Sequence, residues 1–470
     1  MVRRRGGDGL LAGLRRPPGG RDARLMLCGQ FLDRAGTGVW AAASVLYFTF
    51  VTGLDGGQVG LLLGVAGVAG IAGSPLAGRL AQRFPVRTLL IWCHALRLGA
   101  VLALLALHSF WALLPAVAVV CAGDRTAKTL EMVFATEAAG DRRAVYQALS
   151  RSVANAAYGA GAGVAAIGLA VGTLDAYRAL ILADAASFVA AAALVARTSA
   201  RRPLDAGPGR RARTGGPWRD RGYLLFVLLD IPLTLDGAVL DVGLPLWLVH
   251  HTTAPHALVP AFLVLNTALV VLLQLRVTAH FPGPAGSLRA LPRYGLLIAL
   301  ACLLLPLSGV GGAWTASALL LACTALITLA ELMRSVSSWE LAVQLAPERE
   351  RPAYLGVAGM SQSIEKSVGP PVLTSGVMAA GPAGWLALGA GVLGLSLLQR
   401  RCCARRLDTL AATRTPGGPG PGGPGPGGPG PTVTAAATPS PAPPPAALPA
   451  PSPAAPPAAP TASARSARAR

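Results

Sequence analysis

The chain has 470 residues, 53% of them hydrophobic and only 13% charged, with a net charge of +20. A mean hydropathy of +0.53 excludes an ordinary soluble enzyme of this length and points to a polytopic membrane protein. Aromatic residues are scarce at 5% and the apolar runs are long and unbroken, which argues against an outer-membrane barrel of alternating strands.

Crossing ~30 Å of hydrocarbon takes about 20 apolar residues as helix. The sequence predicts about twelve such spans, near 25–51, 58–78, 87–108, 111–136, 145–171, 177–197, 222–249, 257–279, 290–308, 313–335, 353–379 and 382–399. The basic segment 1–24 that precedes them is too long for an ordinary signal n-region, so the first run is read as a retained helix. Arginine occupies alternate gaps. The first gap has Asp55 and no Arg or Lys, the second Arg79, Arg83 and Arg87, the fourth Arg142 and Arg143. The central connection 198–221 includes Arg201, Arg202, Arg210, Arg211 and Arg213. The second half repeats the rhythm with Arg276, Arg289 and Arg293, then Arg349 and Arg351, then Arg400, Arg401, Arg405 and Arg406. Cationic loops stay in the cytoplasm, so both termini are expected inside.

The fold expected is therefore all-α, with two six-helix halves at 25–197 and 222–400, a cytoplasmic linker at 198–221 and a cytoplasmic tail at 401–470. The tail carries three Pro-Gly-Gly-Pro-Gly units over 416–430 and is expected to be disordered. Because the arginines sit in short loops and tails, the positive charge is assigned to topology and anionic lipid, and nucleic acid is not an expected partner. The seven cysteines include no C-x-x-C pair, so no disulfide framework or zinc site is expected.

An internal repeat supports two halves of like orientation. Arg143-Ala-Val-Tyr146 is echoed by Arg351-Pro-Ala-Tyr354, Ser150-Arg-Ser152-Val153 by Ser361-Gln-Ser363-Ile364, and the glycines from Gly159 to Gly163 by Gly369-Pro370-Pro371. Glu131 and Glu340 precede the two tyrosines at similar distances. The matches fall in the fifth and eleventh spans, the signature of parallel repeats in secondary transporters.

After the second span, Gly78-Arg-Leu80-Ala81-Gln82-Arg83-Phe-Pro85-Val-Arg87 resembles the signature of the major facilitator superfamily. The family's aspartate is Gln82 here and its second glycine is Pro85, which weakens the family's charge-relay gate. The fifth-span glycines resemble its antiporter motif without the proline, and the stretch from Glu331 through Trp339-Glu340 to Pro347-Glu348 looks like drug-exporter members. The resemblance covers about 24–400. It implies a gating role for Gly78, Arg83 and Arg87, with a purely topology-setting role as the alternative for the two arginines, and helix packing at Gly159, Gly163, Gly369 and Pro370.

Ionisable groups inside spans cost ~2.5–3.5 kcal/mol or more unless paired, so they are the functional candidates. Asp33, Glu331 and Glu365 are the proton-coupling candidates. Asp124, Lys128, Asn155, Asp230 and Asp236 are candidates for a substrate cavity. Asp124, Lys128 and Glu131 follow i, i+4, i+7 spacing and share one polar stripe. Asp230, Asp236 and Asp241 lie in the seventh span with no cation nearby in sequence, which suits a proton or a cationic substrate; pairing to Arg34 or Arg97 is the structural alternative. His94 reads as a satisfied interface histidine, and His250, His251 and His256 as surface residues with no accompanying metal ligands.

No G-x-x-x-x-G-K-[ST], H-E-x-x-H or G-x-S-x-G motif is present, so the chain is not read as an enzyme. The expectation is a monomeric, cofactor-free carrier in a bacterial cell membrane, exporting small amphipathic or cationic molecules in exchange for protons. An uptake permease of the same fold, a lipid scramblase and a membrane enzyme are the alternatives.

Overall fold

The computed structural model describes residues 10–107, 109–171, 173–199 and 216–414. Most of the expected linker, and the tail beyond Arg414, lie outside the described residues. A short helix, Leu10–Arg15, precedes twelve long ones. The first half contains α1 (Gly20–Leu46), α2 (Gly56–Leu80), α3 (Val86–Leu104), α4 (Phe110–Ala139), α5 (Arg143–Val171) and α6 (Leu174–Ala196). In the second half, α7 runs from Arg221 to His251 with breaks, followed by α8 (Val259–His280), α9 (Gly283–Leu307) and α10 (Ala313–Gln344). The helix α11 comprises Arg351–Ala358 and Met360–Pro371, and α12 is Gly381–Arg414. There is no strand among the described residues.

Local chemistry accounts for the helix ends. Asp55 accepts from the Gln58 N–H and Gln58 answers at the Asp55 N–H, a capping box that starts α2. The hydroxyls of Ser109 and Thr173 cap α4 and α6 more simply, accepting from the Ala112 and Ala176 N–H groups with no reciprocal bond. Gly140, at φ +51°, separates α4 from α5. Pro370 and Pro371 have no N–H to donate, and α11 widens into a π-helical stretch, Val372–Met378, directly after them.

Nine stretches are apolar and long enough to cross a membrane by composition alone, one of which, Phe110–Val171, contains both α4 and α5. The two helices that fall short are α1, interrupted by Gln30, Asp33 and Arg34, and α11, interrupted by Ser361, Gln362, Glu365 and Lys366. Polar residues in spans of this length mark the helices that face protein or a cavity rather than lipid. The last helix runs on to Arg414, fourteen residues beyond Arg400, where the second half was expected to end. Apolarity ends at the membrane surface, whereas helical hydrogen bonding continues past it.

The core is not symmetric about the membrane plane. On the face where the arginine-bearing helix ends collect, one continuous apolar cluster joins both halves: Ala77, Leu90, Phe134 and Tyr146 with Tyr223, Trp339, Leu345 and Leu355. Elsewhere the halves have separate cores, around Phe48, Leu62 and Phe188 in the first and around Trp247, Phe262 and Trp385 in the second. The halves are thus fused at the arginine-rich face.

Candidate functional site

Glycine permits the fusion. A Cβ on Gly78 of α2 would lie 2.4 Å from the Pro352 carbonyl oxygen and 3.0 Å from the Gly356 Cα, so α2 and α11 touch backbone to backbone. Eleven residues earlier on α2, a Cβ on Gly67 would meet Ser367 Oγ at 2.7 Å, eleven residues later on the antiparallel α11. Beyond this level the contact ends: Gly60 and Gly64 on α2, Gly163 on α5 and Gly376 on α11 would each meet nothing within 4 Å. The halves are closed from the arginine-rich face to mid-membrane and part beyond it.

Two ion pairs tie the halves along the closed part. Arg143 Nη2 stands 2.7 Å from Glu340 Oε1, and Arg151 pairs with Glu331. The arginines are eight residues apart on α5, about 12 Å, and the glutamates nine apart on the antiparallel α10, so the pairs stack as rungs. Asn266 of α8 donates to the other Glu331 oxygen at 2.8 Å.

The first half holds a denser network at mid-membrane. Asp33 receives Arg97 at 2.6 Å. The neighbouring Arg34 turns the other way, to Asp124 at 2.7 Å and Glu131 at 2.9 Å, because adjacent helical side chains diverge by about 100°. Lys128 reaches Asp124 at 3.0 Å, and Gln30 bridges Glu131 and Ser150. In the second half, Arg334 binds Asp236 at 2.8 Å, and Ser338 and Ser361 donate to Asp230. Asp236 is therefore not without a cation, and its partner is neither Arg34 nor Arg97: Arg334, on α10, is 98 residues away in sequence. Glu365 is buried and, like Asp241 and Lys366, has no hydrogen-bond or ion-pair partner among the described residues.

Two cavities flank the network. One, about 210 Å³, lies in the closed part between the halves and is walled by Arg34, Lys128, Glu131, Arg151, Arg334 and Glu340 among others. The second, about 750 Å³, lies toward the opposite face, where Arg97, Asp124, Arg125, Asp184 and Lys366, with the hydroxyls of Thr37, Ser363 and Ser367, interrupt a mainly apolar wall. Of the expected cavity residues, Asp124 and Lys128 line these spaces; Asn155, Asp230 and Asp236 line neither.

The family model of the major facilitator superfamily matches residues 26–370. The chain belongs to this superfamily. It is a multi-pass membrane protein with the fold of a transporter. Solved structures agree on that fold. A bacterial homologue of the iron transporter ferroportin, in its outward-facing state, superposes with TM-score 0.64 at 17% identity, over 82% of this chain and 99% of its own. The E. coli fucose:proton symporter FucP gives 0.59 at 15%, over 80% and 97%. The human organic anion transporter MFSD10 gives 0.54 at 14%, over 84% and 100%. No curated protein sequence matches the chain.

The superfamily signature residues take unequal parts here. Gly78 forms the close crossing between the halves. Arg87 donates to the Ala196 carbonyl at 2.5 Å, closing the end of α6 within its own half, while Arg83 is exposed and has no partner among the described residues. A Cβ on Gly369 would press on Ala238 at 2.9 Å, so that glycine lets α11 approach α7, whereas Gly159 only approaches Thr267. The arginines that pair across the halves, Arg143 and Arg151, were quoted in the internal repeat, Arg143 otherwise only as a topology-setting loop cation. Arg125, Asp184 and Arg334 carried no signal beyond being ionisable within a span. His94 is also not satisfied: its Nδ1 is buried without a hydrogen bond, 3.7 Å from Asp33.

Proposed function

We propose that the chain is a proton-coupled secondary transporter that exports small amphipathic or cationic molecules by alternating access, with the arginine-rich face in the cytoplasm of a bacterial cell. The observation that carries the reading is the pair of salt bridges, Arg143–Glu340 and Arg151–Glu331, which among the described residues join the halves on one side of the membrane only. Opening the arginine-rich face requires both to break. Separating a buried pair with both charges intact costs several kcal/mol, and a proton on Glu331 removes that cost by neutralising one partner. Glu331 then serves as both latch and proton acceptor. Asp33 is held by Arg97 inside the first half, which suits proton storage, and the unpaired Glu365 stands on α11 at the junction.

Charge balance favours a cation. Asp230, Asp241 and Glu365 have no ion-pair partner among the described residues, against Lys366 alone on the basic side of the central region. The cargoes in the names of the fold neighbours differ, so cargo is read from this chain's own charges and not from the fold. The resemblance of the Glu331–Glu348 stretch to drug exporters agrees in direction.

The test is transport of the lipophilic cations ethidium and tetraphenylphosphonium in sealed proteoliposomes under an imposed pH gradient. Wild type should accumulate one or both with the gradient and without ATP. Glu331→Gln should lose gradient-driven accumulation while retaining exchange of preloaded cation. Accumulation that ignores the gradient in wild type, or survives in full in Glu331→Gln, overturns the reading.

A further inference from the structure

Among the described residues, Asp184, at the middle of α6, is a buried titratable group left wholly without hydrogen bonds. It is 1% exposed, and neither carboxyl oxygen has a hydrogen-bond partner. One turn along the same helix face, the Phe188 ring carries the Arg97 guanidinium, 4.2 Å from its centroid. Arg97 is itself incompletely used. Nη1 binds Asp33 at 2.6 Å and Nη2 reaches Thr37 at 3.4 Å, but its buried Nε has no hydrogen-bond partner, and neither does Asp33 Oδ2, whose nearest cation is Arg34 at 3.5 Å. Two buried carboxyls thus flank one guanidinium that engages only one of them.

We propose that Arg97 is a two-position switch shared by Asp33 and Asp184, and that the carboxyl it leaves holds a proton. In the arrangement seen here Asp33 is the carboxylate and Asp184 the acid, because an ionised carboxylate buried without a donor costs several kcal/mol. In the alternative arrangement Asp184 has given up its proton and binds Arg97, and Asp33 has gained one. Arg97 stays cationic throughout, so the pair carries one proton in either state and the net charge is constant. The groups facing this site are few. From α1 come Asp33 and Arg34, from α3 Cys93 and His94 beside Arg97, and from α4 Asp124; α5 meets α6 through Gly168 against Leu180.

Position gives the switch a direction. Asp184 and Arg97 wall the larger cavity toward the opposite face, whereas Arg34 and Glu131 wall the smaller one in the closed part. Asp33 stands between, 2.6 Å from Arg97 and 3.5 Å from Arg34. When Arg97 turns from Asp184 to Asp33, Asp184 takes up a proton from the open cavity it walls and Asp33 releases one toward the closed side; the guanidinium shifts which carboxyl is ionised and carries no proton itself. The inference deepens the proton-coupled reading by giving the coupling proton an entry point, but its test does not depend on transport.

The test is infrared spectroscopy of the purified full-length protein, following the carbonyl stretch of protonated carboxylic acids at neutral pH. Wild type should show a component that Asp184→Asn removes and Asp184→Glu moves in frequency. Asp33→Asn should remove the same component although Asp184 is still present, since Arg97, released, pairs with Asp184 and ionises it. A purely structural buried acid would survive Asp33→Asn. Full intensity in Asp184→Asn overturns the proposal, as does persistence in Asp33→Asn. If Asp184→Asn does not fold, the frequency shift in Asp184→Glu and the loss in Asp33→Asn decide it. Absence of gradient-driven transport in wild type would count against the functional reading alone and leave the spectral result standing.

Discussion

The two halves treat their buried charge differently. In the first, Asp33, Arg34, Arg97, Asp124, Lys128 and Glu131 neutralise one another within one bundle of α1, α3 and α4. In the second, Glu331 and Glu340 of α10 find their cations across the interface, on α5. A pair within a bundle survives when the halves rock; a pair across the interface cannot. The first arrangement can therefore store charge through a transport cycle, and the second can report and control which face is open.

The contrast predicts that breaking a within-half hub costs stability without changing the preferred state. Arg34→Ala leaves Asp124 and Glu131 buried with their main partner gone, and the loss should be about 3–5 kcal/mol. Thermal unfolding in detergent measures it. Adding Glu131→Gln to Arg34→Ala should recover part of the loss, because the uncompensated charge, not the missing bond, is the main cost. If Arg34→Ala instead leaves the melting temperature unchanged while opening the arginine-rich face, the division of labour between the halves is wrong.

An interface residue should behave in the opposite way. A Leu side chain at position 78 of α2 overlaps the Pro352 carbonyl and cannot be accommodated by rotamer change, since the clash is with backbone. Gly78→Leu should shift the population toward an open arginine-rich face by roughly tenfold or more, as about 1.4 kcal/mol suffices for that factor. A cysteine placed at Gln362, on the wall of the closed cavity, should react correspondingly faster with a membrane-impermeant maleimide added to that face. Gly64→Leu is the matched control, because a Cβ there meets nothing. Equal labelling in the two variants would remove the argument that α2–α11 contact maintains the closed face.

How much of this was legible in the sequence follows from what kind of contact each feature needs. Spans, their number and the like orientation of the halves depend on runs of residues and on loop charge, both local properties, and the twelve helices follow them. Even α1 and α11, which fail a plain apolarity threshold, were readable because neutral and arginine-bearing gaps bracket them. Partners were not readable. Asp33 and Arg97 are 64 residues apart and Arg151 and Glu331 are 180, and no periodicity within either helix selects one partner over another. Asp236 looked free for the same reason: its cation, Arg334, is three residues beyond Glu331 on the helix already singled out. Asp184 was invisible in a different way, since an unpaired carboxyl in an Ala-rich run differs from a paired one only in three dimensions.

The smallest expected effect belongs to a within-half pair at the rim, and it separates burial from connectivity as the source of the first prediction. Asp220 caps α7 through the Tyr223 N–H and is gripped by both Arg406 nitrogens, at 2.7 and 2.5 Å, from the extension of α12. Burial pushes the Asp220 carboxyl up, but the Arg406 guanidinium and the Tyr223 N–H outweigh it and hold it below the usual carboxylate range. A depressed folded-state value means that the stabilisation is complete above the ordinary value of 3.8 and fades as pH falls through the folded one. Asp220→Asn should therefore lower stability by about 1 kcal/mol at neutral pH, discounted for partial exposure. The gap between variant and wild type should close in acid. Melting temperatures of both proteins across that range measure it. No gap at neutral pH would mean that helix capping, which Asn can also supply, and not the ion pair, dominates at this position. A loss as large as that of Arg34→Ala would mean that connectivity matters more than depth.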